Sequence, residues 1–378
     1  MAKLCIFVPG ILGSSLDAIG PFGRFNLWVN RALLAGGGLG YLALSPDGVT
    51  PPDPRFPTIL AHGALAPYYD DVQSIFARQV ADAGYDLLLA GQDWRLSCFR
   101  NGASLAQQVI SLAAAYDDIR LVGHSQGGLV CRRAYQCLSQ VGRAALVPRI
   151  VTLGTPHRGS WQPCAVFSGI LDFVPQLVQI GSGIIIPGGN ALLRATLDQV
   201  KQIAATWPGL YELLPCPTGD PLTDPFLQVL YDADSWPSAW GIQQRWLDWA
   251  SGPIRTFLLD SSLQPPYSVL TCVAGKDRPT FSGWRSADEI GDPDLLRADG
   301  DGDGIVLTSS ALLPGTRQYT VTFGHRWMPE GASLDGQLIE WLLEASPLPP
   351  VPVAALVTPG DVLLRGPPLA ITSLILDP

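Results

Sequence analysis

The chain has 378 residues, of which 47% are hydrophobic and only 15% are charged. This composition excludes a disordered protein, because so apolar a chain can bury a large core. The formal net charge of −9 argues against a nucleic-acid partner, since that kind of surface needs clustered cations that neutralise phosphates. The length suits either two domains or one sheet with a large insertion.

Segments that would direct the chain into a membrane are not evident. The opening MAKLCIFVPG has a shorter apolar run than a signal peptide requires and is interpreted as a first strand. The most apolar long stretch, 167–187, is interrupted by Asp172, Pro175 and three glycines, whereas a spanning helix needs a continuous apolar segment. The seven cysteines form no C-x-x-C pair, so zinc or redox chemistry is not indicated. We therefore expect a cytoplasmic protein.

Six apolar runs bounded by turn residues predict strands. They span 4–8, 85–90, 119–122, 150–154, 269–274 and 319–323. Helical patterns lie between the early runs, at 70–84 and 103–116. Strands that alternate with helices predict an α/β protein with a mostly parallel sheet flanked by helices.

Two intervals and the C-terminal tail interrupt this alternation. Residues 20–66 are predicted to form an irregular surface excursion from a first core part, 1–155. Residues 156–268 form too long an interval for a structureless loop and are expected to be an inserted cap, or lid. A second core part then follows at 269–345, and the proline-rich tail 346–378 is expected to run extended.

The sequence GHSQG at 123–127 matches the G-x-S-x-G pattern. It follows the predicted strand IRLV and precedes a helical run, LVCRRAYQCLSQ. This is the context of a nucleophile elbow, in which glycines allow a sharp turn that exposes the serine hydroxyl. Ser125 is therefore the predicted nucleophile; the alternative is an ordinary tight turn between strand and helix.

A serine hydroxyl needs a neighbouring base, and the chain has only four histidines. His124 adjoins Ser125 on the turn, where side chains of neighbouring residues point apart. His62 lies too early in the chain, and His157 follows the strand that ends at 154. His325 remains, late in the chain and just after a strand, where the serine, acid, histidine order of such enzymes places the base.

The acid is expected between the nucleophile and the base, near the end of a strand. The candidates in RADGDGDGIV and AGKDRPT are Asp299, Asp301, Asp303 and Asp277. The spacing of the first three aspartates also resembles the start of a calcium loop over 299–310. Ser310 stands where that loop needs a bidentate glutamate, so calcium binding is the weaker alternative.

Two backbone N–H groups are needed to stabilise the oxyanion that forms during acyl transfer. Gln126, directly after the nucleophile, offers one by its position. The segment VPGILGSSL follows the first strand and offers the N–H of Ile11; its alternative interpretation is an ordinary turn at the end of a strand. Leu12, the next residue, is expected to contact the substrate.

Seven sequence blocks, taken in order, resemble the lecithin:cholesterol acyltransferase-like family in a compact bacterial lipase or acyltransferase form. The blocks are FVPGILGSSL (7–16), QDWR (92–95), GHSQGG (123–128), GTPHRGS (154–160), PGLYELLP (208–215), GDGIV (302–306) and GHRWMP (324–329). GHSQGG by itself is shared by many lipases, and the ordered set is more specific. The resemblance implies an α/β-hydrolase fold with a large cap inserted after the sixth strand, and a serine enzyme that processes acyl esters.

The resemblance also implies roles for particular residues. Asp303 matches the aspartate of the family's G-D-G-T-V block, so it is preferred over the other acids. The threonine of that block is Ile305 here, which keeps the carboxylate and removes a local hydroxyl. His325 matches the family histidine, and Ile11 matches the family's oxyanion residue. In QDWR, we expect Asp93 and Arg95 to form a salt bridge at the rim of the site, with Trp94 beneath.

The implied cap carries many apolar residues that suit an acyl chain. They are Trp161, Phe167, Leu171, Phe173, Val174, Leu177 and residues 184–186. Of these, Trp161, Phe167 and Phe173 are the predicted substrate-binding residues. The alternative is that these side chains only pack the core of the cap itself.

Together these features predict a serine hydrolase or acyltransferase that acts on carboxylic esters of lipid-like or apolar compounds. Ser125, Asp303 and His325 would form the triad, and the chemistry requires no metal or organic cofactor. The expected partners are an ester or lipid small molecule and, transiently, a membrane surface that the cap contacts. The alternatives are a non-catalytic lipid- or ligand-binding protein on the same scaffold and a calcium-dependent module at 299–310.

Overall fold

A computed structural model describes residues 2–344, apart from 22, 29, 31–32, 34–37, 170–198 and 220. Several predictions fall outside the described residues. They are the extended tail 346–378 and the cap-wall roles of Leu171, Phe173, Val174, Leu177 and residues 184–186.

Eleven strands occur in the described part of the chain. They are β1 (Ala2–Val8), β2 (Ser15–Gly20), β3 (Gly23–Trp28), β4 (Thr58–His62), β5 (Tyr85–Leu89), β6 (Tyr116–His124), β7 (Arg149–Leu153), β8 (Leu270–Gly275), β9 (Arg278–Thr280), β10 (Gly300–Gly302) and β11 (Arg317–Val321). Six of them form a sheet in the order β11-β8-β7-β6-β1-β5, and every neighbouring pair is parallel. These six are the strands predicted from the apolar runs.

Helices cover both faces of this sheet. The described α-helices with defined bounds are α1 (Ala66–Asp71), α2 (Ala77–Asp82), α3 (Cys98–Leu112), α4 (Gln126–Gln140), α5 (Gln162–Ser168), α6 (Pro208–Tyr211), α7 (Pro225–Leu230), α8 (Gln244–Trp249), α9 (Arg255–Leu259), α10 (Thr308–Ala311), α11 (Met328–Leu334) and α12 (Gln337–Leu343). A π-helical turn, Val72–Phe76, joins α1 to α2. The predicted helices at 70–84 and 103–116 therefore lie close to where the pattern placed them.

Alternate residues of the strands pack into two separate cores. On β1, Leu4 and Ile6 contact the layer formed by α3 and α4, whereas Cys5 and Phe7 face the layer of α1, α2, α11 and α12. All five residues of β7 are buried, as expected for a strand covered on both faces. Burial on both sides explains why these strands appear in the sequence as nearly continuous apolar runs.

The excursion predicted as irregular contains regular structure. A small antiparallel sheet with the order β3-β2-β4 includes two strands of the excursion, β3 and β4, and pairs them with β2, which lies just before it. In this sheet β2 pairs with β4, which lies about 40 residues further along the chain; Ser15, for example, is opposite His62. A pairing over that separation leaves no local pattern, which explains why the sequence did not reveal it.

The interval 156–268 separates β7 from β8 and contains helices α5 to α9 within its described part. In chain order, β7 is the seventh strand of the described residues. It is the fourth strand of the central sheet in the same order, because β2, β3 and β4 belong to the small sheet. Trp207 of this interval packs edge-on against Trp94, with ring centroids 5.1 Å apart. None of the described helices is long and apolar enough to cross a membrane.

Candidate active site

Ser125 lies on a strained turn between β6 and α4. Its φ of 55° and ψ of −127° place a non-glycine residue in a region that costs free energy and persists only when its surroundings impose it. The Ser125 N–H donates to the carbonyl of Leu153 at 2.9 Å. A Cβ atom on Gly123 would come within 2.5 Å of the Gly128 Cα, so glycine is required where the strand and the helix touch.

Three side chains from distant parts of the sequence meet at this turn. His325 Nε2 lies 2.9 Å from Ser125 Oγ, and His325 Nδ1 lies 2.8 Å from Asp303 Oδ2. The His325 N–H also donates to the carbonyl of Asp303 at 2.9 Å. Asp303 is almost completely buried, while His325 is partly exposed. The three residues predicted as acid, base and nucleophile are thus within hydrogen-bonding distance in the required order.

The second oxygen of Asp303 is held by the turn that follows it. Asp303 Oδ1 accepts the N–H of Ile305 at 3.0 Å and that of Val306 at 2.7 Å. These bonds leave Oδ2 directed at the imidazole. Ile305, at the position where the resembled family has threonine, contributes through its main chain, and this contact needs no hydroxyl.

The other acidic candidates have separate partners. Asp301 accepts the N–H of Asp277 at 2.6 Å, and Asp299 bonds with Ser282 and Arg297. A calcium loop would need these carboxylates to converge. Within the part of the chain that the structure describes, no group of three or more potential metal ligands is found.

His124 forms a buried bridge behind His325. Its Nε2 lies 3.0 Å from the carbonyl oxygen of His325, and its Nδ1 lies 2.8 Å from the Tyr69 hydroxyl. Because a carbonyl only accepts, Nε2 carries the hydrogen and Nδ1 accepts from Tyr69, whose oxygen accepts the Gly10 N–H at 3.0 Å. Burial and the neighbouring His325 hold the pKa of His124 well below its usual value. His124 is therefore a neutral hydrogen-bonding group.

The two remaining histidines are engaged elsewhere. His157 is fully buried and bonds with the Arg132 guanidinium at 3.2 Å and the Thr152 hydroxyl at 3.0 Å. Burial holds the pKa of His157 well below its usual value. His62 lies on β4, 2.6 Å from the guanidinium of Arg24. Neither histidine lines the cavity over Ser125.

The loop after β1 closes against the serine. A Cβ atom on Gly10 would lie 2.8 Å from the Ser125 Cβ, which shows how closely the two main chains approach. The Gly13 N–H donates to the carbonyl of Gly10 at 3.0 Å, and Leu12 adopts a φ of 63°. Ile11 and Leu12 both line the cavity over Ser125. The loop that was predicted to supply an oxyanion donor is therefore at the site.

Gln126 is the first residue of α4 and is fully buried. Its side-chain Nε2 donates to the carbonyls of Trp94 and Gly209, each at 3.1 Å. Gln92 braces the opposite loop, because its Nε2 donates to the carbonyl of Pro9 at 2.5 Å. The Gln126 N–H belongs to the first turn of a helix, where main-chain donors have no partner within the helix.

A cavity of about 170 Å³ opens over Ser125. Its lining is mostly apolar and includes Leu12, Val166, Trp207, Leu210, Leu213 and Ile305. Tyr68, Gln162 and Arg326 are also part of the lining. A cavity of this kind suits an apolar ligand whose orientation is set by a few polar groups.

Two of the predicted substrate-binding residues lie outside this lining. Phe167 is fully buried, and its ring packs against those of Tyr211 and Trp236 at 5.0 and 6.2 Å. Trp161 packs against Phe226 and Trp284. Residues near them in sequence, such as Val166, line the cavity instead, because only one side of α5 faces it. Leu12 lies in the lining as expected, and Phe173 is not among the described residues.

The salt bridge predicted for the QDWR block is present. Arg95 donates to both oxygens of Asp93, at 2.9 and 2.6 Å. Arg95 is fully buried and Trp94 packs beside it, with its Nε1 donating to the carbonyl of Ser14 at 3.2 Å. The pair lies beneath the surface and does not line the cavity, which differs from the expected place at the rim.

Three polar side chains near the site were not predicted. Tyr69 bridges Gly10 and His124, Gln92 braces Pro9, and Gln162 lines the cavity. Tyr69 bonds with residues 55 and 59 positions away, and Gln92 bonds with a residue 83 positions away. The sequence offered two signals for them, and neither is specific. One is the adjacent tyrosine pair at 68 and 69, and the other is the polar Gln162 directly after GTPHRGSW.

No protein-family model and no curated protein matches this chain. The structure of the Tle4–Tli4 complex is similar over 91% of this chain and 98% of that chain, at 14% identity and a TM-score of 0.53. The mature Bacillus licheniformis lipase BlEst2 matches over 89% and 92%, at 16% identity and a TM-score of 0.40. The type II thioesterase YbtT, from the yersiniabactin pathway, matches over 91% and 93%, at 15% identity and 0.39.

Structural matches at 14–16% sequence identity show the fold of a chain and not its substrate. The likeness to the Tle4–Tli4 structure agrees with three features of this chain. They are the parallel six-stranded sheet, the helices on both of its faces and the serine turn between β6 and α4. The chain has the α/β-hydrolase fold.

Proposed function

We propose that the protein is a serine-dependent hydrolase of carboxylic esters with lipid-like or apolar groups. The observation that carries this proposal is the hydrogen-bonded series Ser125, His325 and Asp303, with distances of 2.9 and 2.8 Å. It starts at a serine held in a strained conformation, which is typical of a nucleophile elbow.

These three groups can acylate Ser125 by moving one proton in two steps. Ser125 Oγ attacks the ester carbonyl while His325 Nε2 takes its proton, and the same proton then goes to the leaving alcohol. Asp303 holds the Nδ1 hydrogen and stabilises the imidazolium that forms. Water then attacks the acyl-enzyme, passes its proton to His325, and releases the carboxylic acid as Ser125 regains its hydrogen.

The developing oxyanion needs donors that are already in place. We assign the N–H groups of Ile11, in the loop packed against Ser125, and Gln126, at the start of α4. The bonds that hold Gln92 and Gln126 fix this loop and this helix end before substrate arrives. One such donor contributes about 10²- to 10³-fold to kcat in serine hydrolases.

The apolar lining supports an acyl chain or another apolar group as the part of the substrate that is bound. Val166, Trp207, Leu210 and Leu213 of this wall belong to the interval 156–268, which we interpret as a cap over the serine. An alcohol that replaced water in the second step would give acyl transfer from the same acyl-enzyme. The family-level resemblance seen in the sequence includes both outcomes.

A fluorophosphonate probe tests the proposal, because it labels only activated serines. We expect the wild-type protein to be labelled and Ser125→Ala to be unlabelled. Ser111→Ala, which removes an exposed hydroxyl on α3, is the matched control and should be labelled normally. Hydrolysis of 4-nitrophenyl esters should fall about 10⁴-fold or more in Ser125→Ala.

The result that would overturn the proposal is a folded wild-type protein that neither reacts with the probe nor hydrolyses any ester of a panel of nitrophenyl esters, phospholipids and lactones. That outcome would favour a non-catalytic ligand-binding protein. Repeating the assay with added alcohol separates hydrolysis from transfer, because transfer produces a new ester.

A further inference from the structure

An indole N–H binds the loop after β1, which carries Ile11, the proposed oxyanion donor. Trp28 is the last residue of β3 and is almost completely buried, and its Nε1 donates to the carbonyl of Leu12 at 2.8 Å. Trp28 is not part of the cavity lining. Any effect of this bond on catalysis must therefore pass through the loop.

The bond from Trp28 continues through two peptide groups to the N–H of Ile11. The carbonyl of Leu12 and the N–H of Gly13 belong to one peptide group, and this N–H donates to the carbonyl of Gly10 at 3.0 Å. The carbonyl of Gly10 and the N–H of Ile11 form the next peptide group. A planar trans peptide directs its N–H opposite to its carbonyl, so the orientation of each group sets that of the next. Within the described residues the N–H of Ile11 has no acceptor, which leaves it available to an oxyanion.

The turn that contains these peptide groups is strained and depends on contacts from outside it. Leu12 has a φ of 63° and is the only residue of 10–13 with a positive φ. Together with the bond between Gly13 and Gly10, this pattern defines a type II turn, whose third residue is ordinarily glycine. A leucine in this conformation costs free energy and persists only when its surroundings impose it. Trp28 supplies such a contact directly at Leu12.

Trp28 is itself held in place by the small sheet and by a second tryptophan. Its ring packs edge-on against that of Trp94, with the ring centroids 5.7 Å apart. Its carbonyl accepts the Ser15 hydroxyl at 2.9 Å and the Asn26 side-chain amide at 3.1 Å. Ser15 begins β2 and Asn26 lies on β3. The small sheet therefore holds the indole in a defined position against the loop.

We propose that Trp28 is a positioning residue for the oxyanion hole: through the two hydrogen-bonded peptide groups it fixes the direction of the Ile11 N–H. A hydrogen bond at one end of such a chain also polarises the next bond, which strengthens the final donor. A donor that is fixed beforehand stabilises the oxyanion without reorganisation during the reaction. This inference rests on the proposed function and adds a residue to the proposed site.

Removing the indole N–H tests the inference. Trp28→Phe keeps an aromatic ring, and benzothienylalanine in place of Trp28 keeps the bicyclic shape; both lack the N–H. We expect kcat on a 4-nitrophenyl ester, per site labelled at completion by fluorophosphonate, to fall about tenfold, with KM within about twofold of the wild-type value. An alkyl trifluoromethyl ketone, whose adduct with Ser125 carries an oxyanion, should bind about tenfold more weakly.

Trp284→Phe is the matched control. Trp284 is almost completely buried, its Nε1 donates to the carbonyl of Asp292 at 2.8 Å, and it is not part of the cavity lining. This variant loses the same kind of hydrogen bond, so its melting temperature should fall as that of Trp28→Phe does. Its kcat per labelled site and its affinity for the ketone should stay at the wild-type values.

The inference is overturned if both Trp28 variants keep the wild-type kcat per labelled site, or if Trp284→Phe loses as much as they do. A rise in KM at constant kcat, or a lower kcat with unchanged affinity for the ketone, would also overturn it, since neither result reports a change at the oxyanion. If Trp28→Phe does not fold, the benzothienylalanine variant decides. Failure of the proposed function is recognised separately, because the wild-type protein would then neither react with the fluorophosphonate nor hydrolyse any ester.

Discussion

Among single residues, the least expected contacts are those of His124, the histidine beside Ser125. His124 joins the main chain of His325 to Tyr69, and Tyr69 holds the N–H of Gly10. The backbone that carries the proposed base, His325, and the loop that carries the proposed oxyanion donor are thus linked through two buried side chains. A neutral His124 suits this task, because its unprotonated Nδ1 accepts the Tyr69 hydroxyl hydrogen, whereas a protonated Nδ1 would leave that hydrogen without its acceptor.

Replacing Tyr69 by phenylalanine tests this link. Tyr69→Phe leaves the Gly10 N–H and His124 Nδ1 without their partner, which should lower the free energy of unfolding by about 1–3 kcal/mol. We expect kcat on a nitrophenyl ester to fall about tenfold with little change in KM, because the reacting groups shift while the apolar wall is intact.

Tyr116→Phe serves as the matched control for this experiment. Tyr116 is at the start of β6, at the opposite end of the strand from Ser125, and its hydroxyl donates to Asp86 at 2.8 Å. The kcat of Tyr116→Phe should stay close to the wild-type value. Equal kcat in Tyr69→Phe and the wild-type protein would show that the bridge has no positioning role.

At the scale of elements, the site depends on main chains that approach more closely than side chains allow. The loop after β1 touches both the serine turn and the start of α4, and a Cβ atom on Gly127 would collide with the carbonyl of Val8. A Cβ atom on Gly10 would meet the Ser125 Cβ at 2.8 Å and the His124 carbonyl at 3.2 Å. These neighbours are backbone or short side chains that cannot rotate away.

Gly10→Ala is therefore expected to displace the loop from the serine. The added methyl group must push Ile11 and its N–H away from the oxyanion, and a displacement of about 1 Å can cost about 10² in rate. We expect kcat/KM for ester hydrolysis to fall by about that factor, and the rate of fluorophosphonate labelling to fall with it.

Gly40→Ala is a suitable comparison, because a Cβ atom at Gly40 has nothing within 4 Å and the residue is exposed. Its kinetics should match those of the wild-type protein. If Gly10→Ala were labelled as fast as the wild-type protein, the loop would not be the source of the oxyanion donor.

For the whole molecule, the sequence predicted the central sheet well for a physical reason. The inner strands β1, β7 and β8 are largely buried and left nearly continuous apolar runs. The edge strands β5 and β11 are only partly buried and left shorter ones. The serine turn was also visible, because the contact that requires glycine at Gly123 is made with Gly128, inside the turn itself. The order of serine, acid and histidine then followed from the order of the strands.

What the sequence did not predict depends on contacts between distant segments. The bond between Tyr69 and His124 joins residues 55 positions apart, and the pairing of β2 with β4 has no local signature. In the same way, the composition of α5 does not reveal that Val166 faces the cavity while Phe167 packs against Tyr211. The angle at which a helix meets its neighbours decides such differences.

The stability of the whole molecule should depend on pH through a few buried groups. Burial and the neighbouring Asp71 raise the pKa of Glu330 from 4.5 to about 7, against the opposing effect of Arg326. Between those two values the native protein holds a proton that the unfolded chain has lost, so stability decreases as pH rises. His124 and His157 act in the opposite sense: their lowered pKa values reduce stability as pH falls below about 6.5.

Glu330→Gln should separate the loss of stability that Glu330 causes as pH rises from the loss that His124 and His157 cause as pH falls. Glutamine keeps the shape and an acceptor but cannot ionise, so the variant lacks the loss of stability that Glu330 causes as its carboxyl deprotonates. We expect the melting temperature of the variant, relative to the wild-type protein, to rise progressively between pH 5.5 and 8. Glu340→Gln, an exposed change on α12, should show a constant difference over that range. A constant difference for Glu330→Gln as well would mean that Glu330 titrates alike in the native and unfolded chains.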